Sequence, residues 1–125
     1  MSEVIGDAIA TNQRSKVLGQ LACAATTAED MYTVPVDTTA QITNIHICNR
    51  TASAVTFRLS VAVAGVVAAN KQYLYYDQSI AASSVVVLTD QQIYLGPTDV
   101  LRFYASAASL SVNVFGFETP ISGYQ

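Results

Sequence analysis

Residues 54–63, with the sequence AVTFRLSVAV, alternate between large apolar side chains and smaller ones. Because successive side chains of a β-strand point to opposite faces, this alternation predicts a strand with one face in a core. The other face carries a single charge, Arg58, among Thr56, Ser60 and Ala62. That is little charge for a surface that meets only water, so we expect another molecule to cover it. The predicted inner face consists of Val55, Phe57, Leu59, Val61 and Val63.

Similar short segments follow one another from residue 16 onward, separated by turn residues. We predict about eight strands at spacings of roughly 8 to 12 residues, a pattern typical of sandwiches and jelly rolls. No segment has the periodicity of a long helix. The predicted fold class is all-β, an antiparallel jelly-roll-like β-sandwich with an extended N-terminal arm. Its domains are the arm, residues 1–14, and the sandwich, residues 15–125.

The predicted core consists of the apolar residues that alternation places on the inner faces of the strands. Within residues 41–49, the even-numbered positions from Ile42 to Cys48 are predicted to face outward. Pro35 lacks an amide hydrogen and marks an edge or a strand end. The core is predicted to comprise Ile45, Ile47, Val55, Phe57, Leu59, Val61, Val86, Leu88, Leu101, Phe103, Leu110, Val112 and Val114.

The composition points to a surface that is covered in an assembly. Apolar residues make up 51% of the chain and charged residues only 12%, whereas charged residues usually make up about 25% of a globular domain. A surface so poor in charge is weakly protected against association. We therefore predict a homo-oligomer, and the alternative is a monomer with an unusually neutral surface.

Charge and hydropathy argue against two classes of partner. The net charge is −3, and binding to nucleic acid usually needs clustered Lys and Arg. The longest apolar run, residues 61–69, is shorter than the roughly 18 to 20 residues of a membrane-spanning helix. The first residues do not have the pattern of a signal peptide. We expect no nucleic acid and no membrane as partners, and maturation in a cytoplasm.

Catalysis and metal binding need polar side chains that converge, and few candidates meet that need. His46 lies beside Asn44 and Cys48 on one predicted strand face, but structural zinc takes four ligands and no second pair is evident. His46 is therefore predicted to be a hydrogen-bonded strand histidine. Of the nine carboxylates, only Glu29 and Asp30 are adjacent, in a predicted turn. We assign no catalytic residue, no metal and no cofactor.

The two cysteines, Cys23 and Cys48, lie in predicted strands. Two cysteines in a domain of this size form no disulfide framework. Buried free thiols are the favoured interpretation, because unpaired cysteine is often buried. A single disulfide bridge is the alternative, and it depends on the distance between the two residues.

Tyrosines are concentrated in one segment, where Tyr73, Tyr75 and Tyr76 lie close together. Tyrosine suits both protein interfaces and sugar-binding surfaces. Alternation predicts that Leu74 and Tyr76 pack inward while Tyr73 and Tyr75 lie on the outer face. Together with the arm, these residues suggest an interface that comprises Val4, Ile5, Ile9, Arg58, Tyr73 and Tyr75.

The N-terminal arm, residues 1–14, differs from the rest of the chain because it is polar and irregular. Its only helical spacing involves Ile5, Ala8, Ile9 and Ala10, a pattern too short to form a stable helix alone in water. We predict that the arm is an assembly element held by a neighbouring subunit. Packing on its own domain is the alternative.

Residues 16–118 resemble a small all-β domain found in virion proteins of tailed bacteriophages. The resemblance follows the order of five motifs along the chain, and Met31 replaces the leucine expected at the start of the second. These motifs belong to the scaffold of a sandwich and specify no chemistry. They are KVLGQ at 16–20, MYTVP at 31–35, CNR at 48–50, ANKQY at 69–73 and FGFE at 115–118.

The resemblance implies a non-enzymatic structural role in a virion assembled in the host cytoplasm. The first interpretation is a capsid decoration or cement protein, a homotrimer that binds the major capsid protein and stabilises the head surface. The alternative is a tail, neck or fibre component, which would serve as a receptor- or glycan-binding module. An enzyme is the third and least favoured class, because no catalytic site was found.

Overall fold

The structure, a computed structural model, describes residues 13–121. Within them, short 3-10 helices at Val63–Gly65 and Asn70–Gln72 accompany the strands. The strands are β1 (Arg14–Ala22), β2 (Thr27–Thr33), β3 (Thr38–Asn49), β4 (Val55–Ala62), β5 (Tyr73–Ile80), β6 (Val85–Leu88), β7 (Ile93–Leu95), β8 (Val100–Ala105) and β9 (Leu110–Pro120).

The strands form two sheets, and neighbouring strands in each are antiparallel. The five-stranded sheet has the order β1-β9-β3-β6, and β7 pairs with another part of β3. The four-stranded sheet has the order β2-β8-β4-β5. Most neighbours are therefore distant in sequence, as in jelly rolls. The prediction of an all-β antiparallel sandwich is confirmed, with nine strands instead of about eight.

The core lies between the inner faces of the two sheets. Phe57 on β4 stacks on Phe103 of β8 with the ring centroids 5.5 Å apart. The predicted core residues are buried, except that Val61, Val86 and Leu88 are only partly buried at its margin. Transfer of an apolar side chain of this kind from water stabilises the fold by about 1.5–3 kcal/mol. The core prediction is thus confirmed.

A β-bulge in β3 overturns the prediction that Ile42 faces outward. The pairing between β3 and β9 shifts register between Ile42 and Asn44, and the extra residue reverses the direction of the side chains that precede it. Ile42 is therefore fully buried, together with Ala40. Asn44 and His46, beyond the bulge, point outward as predicted.

The end of β4 also differs from the predicted alternation. Alternation predicts Val63 on the inner face, but β4 ends at Ala62, and Val63 begins a 3-10 helix with 67% of its surface exposed. Ser60 and Ala62, expected on the outer face, are buried. Part of the outer face of β4 is therefore covered by other residues of the same chain.

Two further predictions concern Glu29 and Asp30, expected in a turn, and Pro35, expected at a strand end. Glu29 and Asp30 lie in β2 and not in a turn. Glu29 nevertheless binds nearby backbone, because its carboxylate accepts a hydrogen bond from the amide of Ala24 at 2.9 Å. Pro35 follows the end of β2, so the expected strand end is confirmed.

Candidate interaction surfaces

The outer side of the five-stranded sheet carries no Asp, Glu, Lys or Arg among the described residues. Cross-strand pairing and burial identify the residues that point outward there. We call this surface the neutral face. It consists of Ser15, Val17, Gln20 and Ala22 on β1, Thr39, Gln41, Asn44, His46 and Cys48 on β3, Val85 and Val87 on β6, Tyr94 on β7, and Ser111, Asn113, Phe115, Phe117 and Thr119 on β9.

Several large apolar side chains of the neutral face are exposed to solvent. The exposed fraction is 46% for Val17, 57% for Val85, 41% for Val87 and 69% for Tyr94. The two phenylalanines of β9 on this face lie half-buried between them. Large exposed apolar patches are rare on soluble monomers and mark interaction sites. The neutral face is therefore the main candidate interaction surface.

Three shallow depressions follow β9 across the neutral face, and we call them together the β9 groove. Their volumes are about 400, 470 and 290 Å³. Tyr94, Phe117 and Gln13 line the first, Val17 and Phe115 line the second, and residues 111–113 line the third. The groove thus has apolar walls over most of its length, and it begins beside the residue at which the described chain starts.

The outer side of the four-stranded sheet is chemically different, because it carries a layer of arginine and tyrosine. The guanidinium of Arg58 lies between the rings of Tyr76 and Tyr104, 4.1 and 4.4 Å from their centroids. Its Nε donates to Asp77 Oδ1 at 2.6 Å. This hydrogen bond raises the pKa of Arg58. The charge noticed in the sequence is therefore paired within the chain and is not free for a partner.

A second arginine on this sheet fixes the connection between β4 and β5. Arg102 of β8 donates to Asp30 Oδ1 of β2 at 2.9 Å. It also donates to the backbone carbonyls of Gly65 and Val66 at 3.1 and 2.8 Å. These bonds hold the 3-10 turn after β4 against the sheet, so Arg102 has a structural role.

The directions predicted for the side chains of residues 73–76 are only partly correct. Tyr75 points inward, because it pairs with the fully buried Leu59 and cross-strand partners share a face. Its ring packs against Phe57, with the centroids 6.0 Å apart. Leu74 and Tyr76, expected inside, are 48% and 53% exposed. The alternation failed because the pairing of β4 with β5 contains two register shifts.

The other predicted interface residues lie in two places. Tyr73 is half-buried and contacts Tyr76 edge-on, with the ring centroids 4.9 Å apart. Val4, Ile5 and Ile9, like most of the predicted arm, lie outside the described residues. The neutral face is not evident in the sequence, because its residues come from five strands that only the topology brings together.

A buried polar cluster lies at the edge of the core near the start of β1. Glu118 of β9 is 9% exposed and accepts hydrogen bonds from the Tyr32 hydroxyl and, at 3.3 Å, from Lys16 Nζ. Burial and then the bond to Glu118 raise the pKa of Tyr32. A buried carboxylate needs such donors, because leaving it unpaired is costly. The cluster joins β1, β2 and β9.

We expect Tyr32→Phe to lower the free energy of unfolding by about 1.5–3 kcal/mol at pH 7, because a buried carboxylate loses a hydrogen bond. The raised pKa lets the folded state keep a proton that the unfolded state loses above pH 10.0, the ordinary pKa of tyrosine. The stabilisation is therefore complete below pH 10 and declines above it. Urea titrations from pH 7 to 11 measure both effects.

The matched control is Tyr94→Phe, which removes a hydroxyl from a side chain that is 69% exposed. It should keep the parent's stability and its alkaline decline, whereas Tyr32→Phe should make that decline shallower. Parent-like stability of Tyr32→Phe at pH 7, with an unchanged alkaline slope, would show that the cluster does not stabilise the fold.

The two cysteines are both free, and they differ in environment. Cys23 is buried, as predicted, and burial followed by the charge of Glu29 raises its pKa from 9.0 to about 12. Cys48 is exposed on the neutral face, so the prediction of burial is wrong there. Its position on the outer side of β3 follows from the alternation beyond the bulge.

We expect one fast and one slow thiol in the native protein, because the thiolate is the reactive form and burial hinders access. In dilute native protein, Ellman's reagent should modify Cys48 rapidly and Cys23 only after denaturant is added. The variant Cys48→Ser should lose the fast phase. Two fast thiols, or a fast phase that persists in Cys48→Ser, would contradict the assigned burial.

The histidine has an aromatic neighbour. His46 is half-buried, and its ring contacts Phe115 edge-on with the centroids 5.1 Å apart. Among residues 13–121, no three His, Cys, Asp or Glu side chains group closely enough to hold a metal ion. The same residues contain no helix with the length and apolar character needed to span a membrane.

Comparison with known proteins gives similarity of structure but none of sequence. No protein-family model and no curated protein match the sequence. Among solved structures, a chain in the structure of infectious bursal disease virus, Gx strain, is similar, with a TM-score of 0.53 and 11% identity. The similarity covers 90% of this chain and 34% of that chain. It shows a shared fold, and this chain spans about a third of the other's length.

Proposed function

We propose that this chain is a non-enzymatic structural protein of a virion. The observation that carries the proposal is the neutral face, a broad uncharged sheet surface with exposed valines and a tyrosine on a rigid sandwich. Soluble monomers rarely expose such a surface, and where one occurs it usually marks a site at which another molecule binds. The fold shared with a chain of a virus structure supports the same role.

Six ionisable side chains of the described residues form three ion pairs within the fold, which favours this role over catalysis. Arg58 pairs with Asp77, and Lys16 pairs with Glu118. Arg102 pairs with Asp30 and also binds backbone carbonyls. Each of these pairs joins two strands of a sheet. A catalytic group, in contrast, faces a cavity where a substrate binds.

Within this role, we propose a capsid decoration or cement protein of a tailed bacteriophage. The motifs of the phage virion domain support the phage assignment, and the neutral face supports self-association on the head surface. The protein forms a homo-oligomer, a trimer in this proposal, and binds other virion proteins such as the major capsid protein. Its place is the phage particle, assembled in the host cytoplasm.

Copy number in purified virions tests this position. We expect quantitative mass spectrometry to give a ratio to the major capsid protein that corresponds to hundreds of copies per particle. Removal of the protein should lower the temperature at which heads release their DNA. A handful of copies would instead indicate a tail or neck component, and absence from purified particles would refute a virion role.

The second candidate function is a tail or fibre module that binds a glycan. The ring of Tyr76, which is 53% exposed on the outer side of the four-stranded sheet, favours it, because sugars bind to aromatic faces. Glycan-array binding that is lost in Tyr76→Ala and kept in Tyr94→Ala would support this function. Lack of glycan binding by the parent protein at high concentration would contradict this second function.

A further inference from the structure

The β9 groove has the shape of a site for an extended segment of chain. Its three depressions follow one strand, and their volumes are about 400, 470 and 290 Å³. A single polypeptide segment along β9 would fill them, because its side chains enter successive depressions.

The chain carries enough residues before β1 to extend along this groove. Residues 1–12 precede Gln13, which lines the first depression. Twelve extended residues reach about 40 Å, at roughly 3.3 Å per residue. The strand that forms the floor of the groove has 11 residues, or about 36 Å at the same rise. The segment is therefore long enough to follow the groove from end to end.

The chemistry of the segment and the groove also corresponds. The segment, MSEVIGDAIATN, carries Val4, Ile5 and Ile9 for the apolar walls. It also carries acidic side chains at positions 3 and 7. Arg14 is exposed on β1, next to Gln13 at the first depression, and offers the opposite charge.

We infer that residues 1–12 of one copy lie along the β9 groove of a neighbouring copy. The inference deepens the proposed function and rests on it, because it names the contact through which copies associate. It also gives a partner to the apolar walls that the isolated chain exposes.

The strand geometry favours a neighbour's groove over the chain's own. Gln13 leads directly into β1, whose first residue, Arg14, lies opposite Glu118 near the end of β9. The chain therefore leaves the sheet at its edge at this point. A return to its own groove needs a reversal of about four residues. That turn would take up residues 9–12 and remove Ile9 from the contact.

Photo-cross-linking in a mixture of ¹⁵N-labelled and unlabelled protein tests the inference. A photoreactive p-benzoylphenylalanine replaces Ile5, and equal amounts of ¹⁵N-labelled and unlabelled protein are mixed at low concentration and then concentrated. After irradiation, mass spectrometry should find segment 1–12 joined to β9 or β3 peptides, with mixed-isotope pairs as abundant as same-isotope pairs. Same-isotope pairs alone, or cross-links to the four-stranded sheet, would overturn the inference.

Two full-length variants add a measure of affinity. Tyr94→Arg places a charge in the first depression, and Ile9→Asp places one in the segment. Each should weaken self-association at least about tenfold in sedimentation equilibrium, equivalent to one decade in Kd. The control Val67→Arg, at a residue 84% exposed outside the neutral face, should associate like the parent. Circular dichroism confirms that every variant is folded.

Parent-like association of both charged variants, or a parent that is monomeric at every concentration, would also overturn the inference. Neither result bears on whether the protein is part of a virion, because copy number in purified particles is measured independently. Failure of the inference and failure of the proposed function are therefore distinguishable.

Discussion

Gly116→Ala is expected to destabilise the sandwich by about 3 kcal/mol or more, at or beyond the upper end of the usual cost of overpacking. A Cβ atom at Gly116 would lie 2.1 Å from the carbonyl oxygen of Gln41 and 3.0 Å from Cα of Ile42. Both contacts are with backbone, so no side-chain rotation relieves them. The central strands β9 and β3 would have to separate at the bulge.

Thermal and urea unfolding of purified protein measure this effect. The matched control is Gly96→Ala, whose nearest contact would be Asp99 Oδ2 at 3.6 Å, an ordinary van der Waals distance. It should change stability by less than about 1 kcal/mol, within the range for surface substitutions and glycine effects. If Gly116→Ala proved as stable as Gly96→Ala, the close packing of β9 on the β3 bulge would be wrong.

Phe57→Ala is expected to cost about 3–5 kcal/mol from lost burial plus the cavity left behind. The Phe57 ring is 1% exposed, stacks on Phe103 and packs against Tyr75. It therefore joins β4, β8 and β5 at the centre of the four-stranded sheet. Domains have only about 5–15 kcal/mol of total stability, so this variant should unfold at a much lower urea concentration.

The control for this substitution is Val67→Ala, which shortens a side chain that is 84% exposed. Its unfolding midpoint should match the parent's within error. Equal midpoints for the parent and Phe57→Ala would show that the inner face of β4 is assigned wrongly. An intermediate loss for Tyr75→Ala, larger than for Val67→Ala, is expected because Tyr75 is only partly buried.

The sequence predicted the fold class because alternation depends only on local geometry. Phe57 and Leu59 on β4 and Val112 and Val114 on β9 follow strict alternation, and all four are buried. Side chains of period two can share one face only in an extended strand. For such strands, the facing of every residue follows once one inward residue is known.

Alternation failed where strands contain an irregularity. The bulge beside Ile42 and the register shifts opposite Tyr75 each reverse the facing of neighbouring residues. Such shifts are set by pairing with a strand that is distant in sequence. Gly116 is a sequence signal for the bulge beside Ile42, because a glycine within a strand often marks a bulge or close backbone approach.

The candidate surface was less predictable than the fold. A composition of 12% charged residues indicated a covered exterior, but not which exterior. Arg58 indicated the outer side of the four-stranded sheet as the covered surface. In the structure, however, Arg58 binds Asp77 and lies between two tyrosine rings of the same chain. The neutral face is built from separate strands, for example Val17, Val87 and Tyr94, so no single segment contains its pattern.

The central claim is that the neutral face is buried against neighbouring protein in a virion. A cryo-electron microscopy reconstruction of the particle that contains this chain tests it most directly. We predict nine-stranded sandwiches at regular positions on the head, with protein density packed against Val87, Tyr94 and Phe117. A reconstruction in which this face is open to solvent, or in which the chain is missing from the particle, would contradict the account.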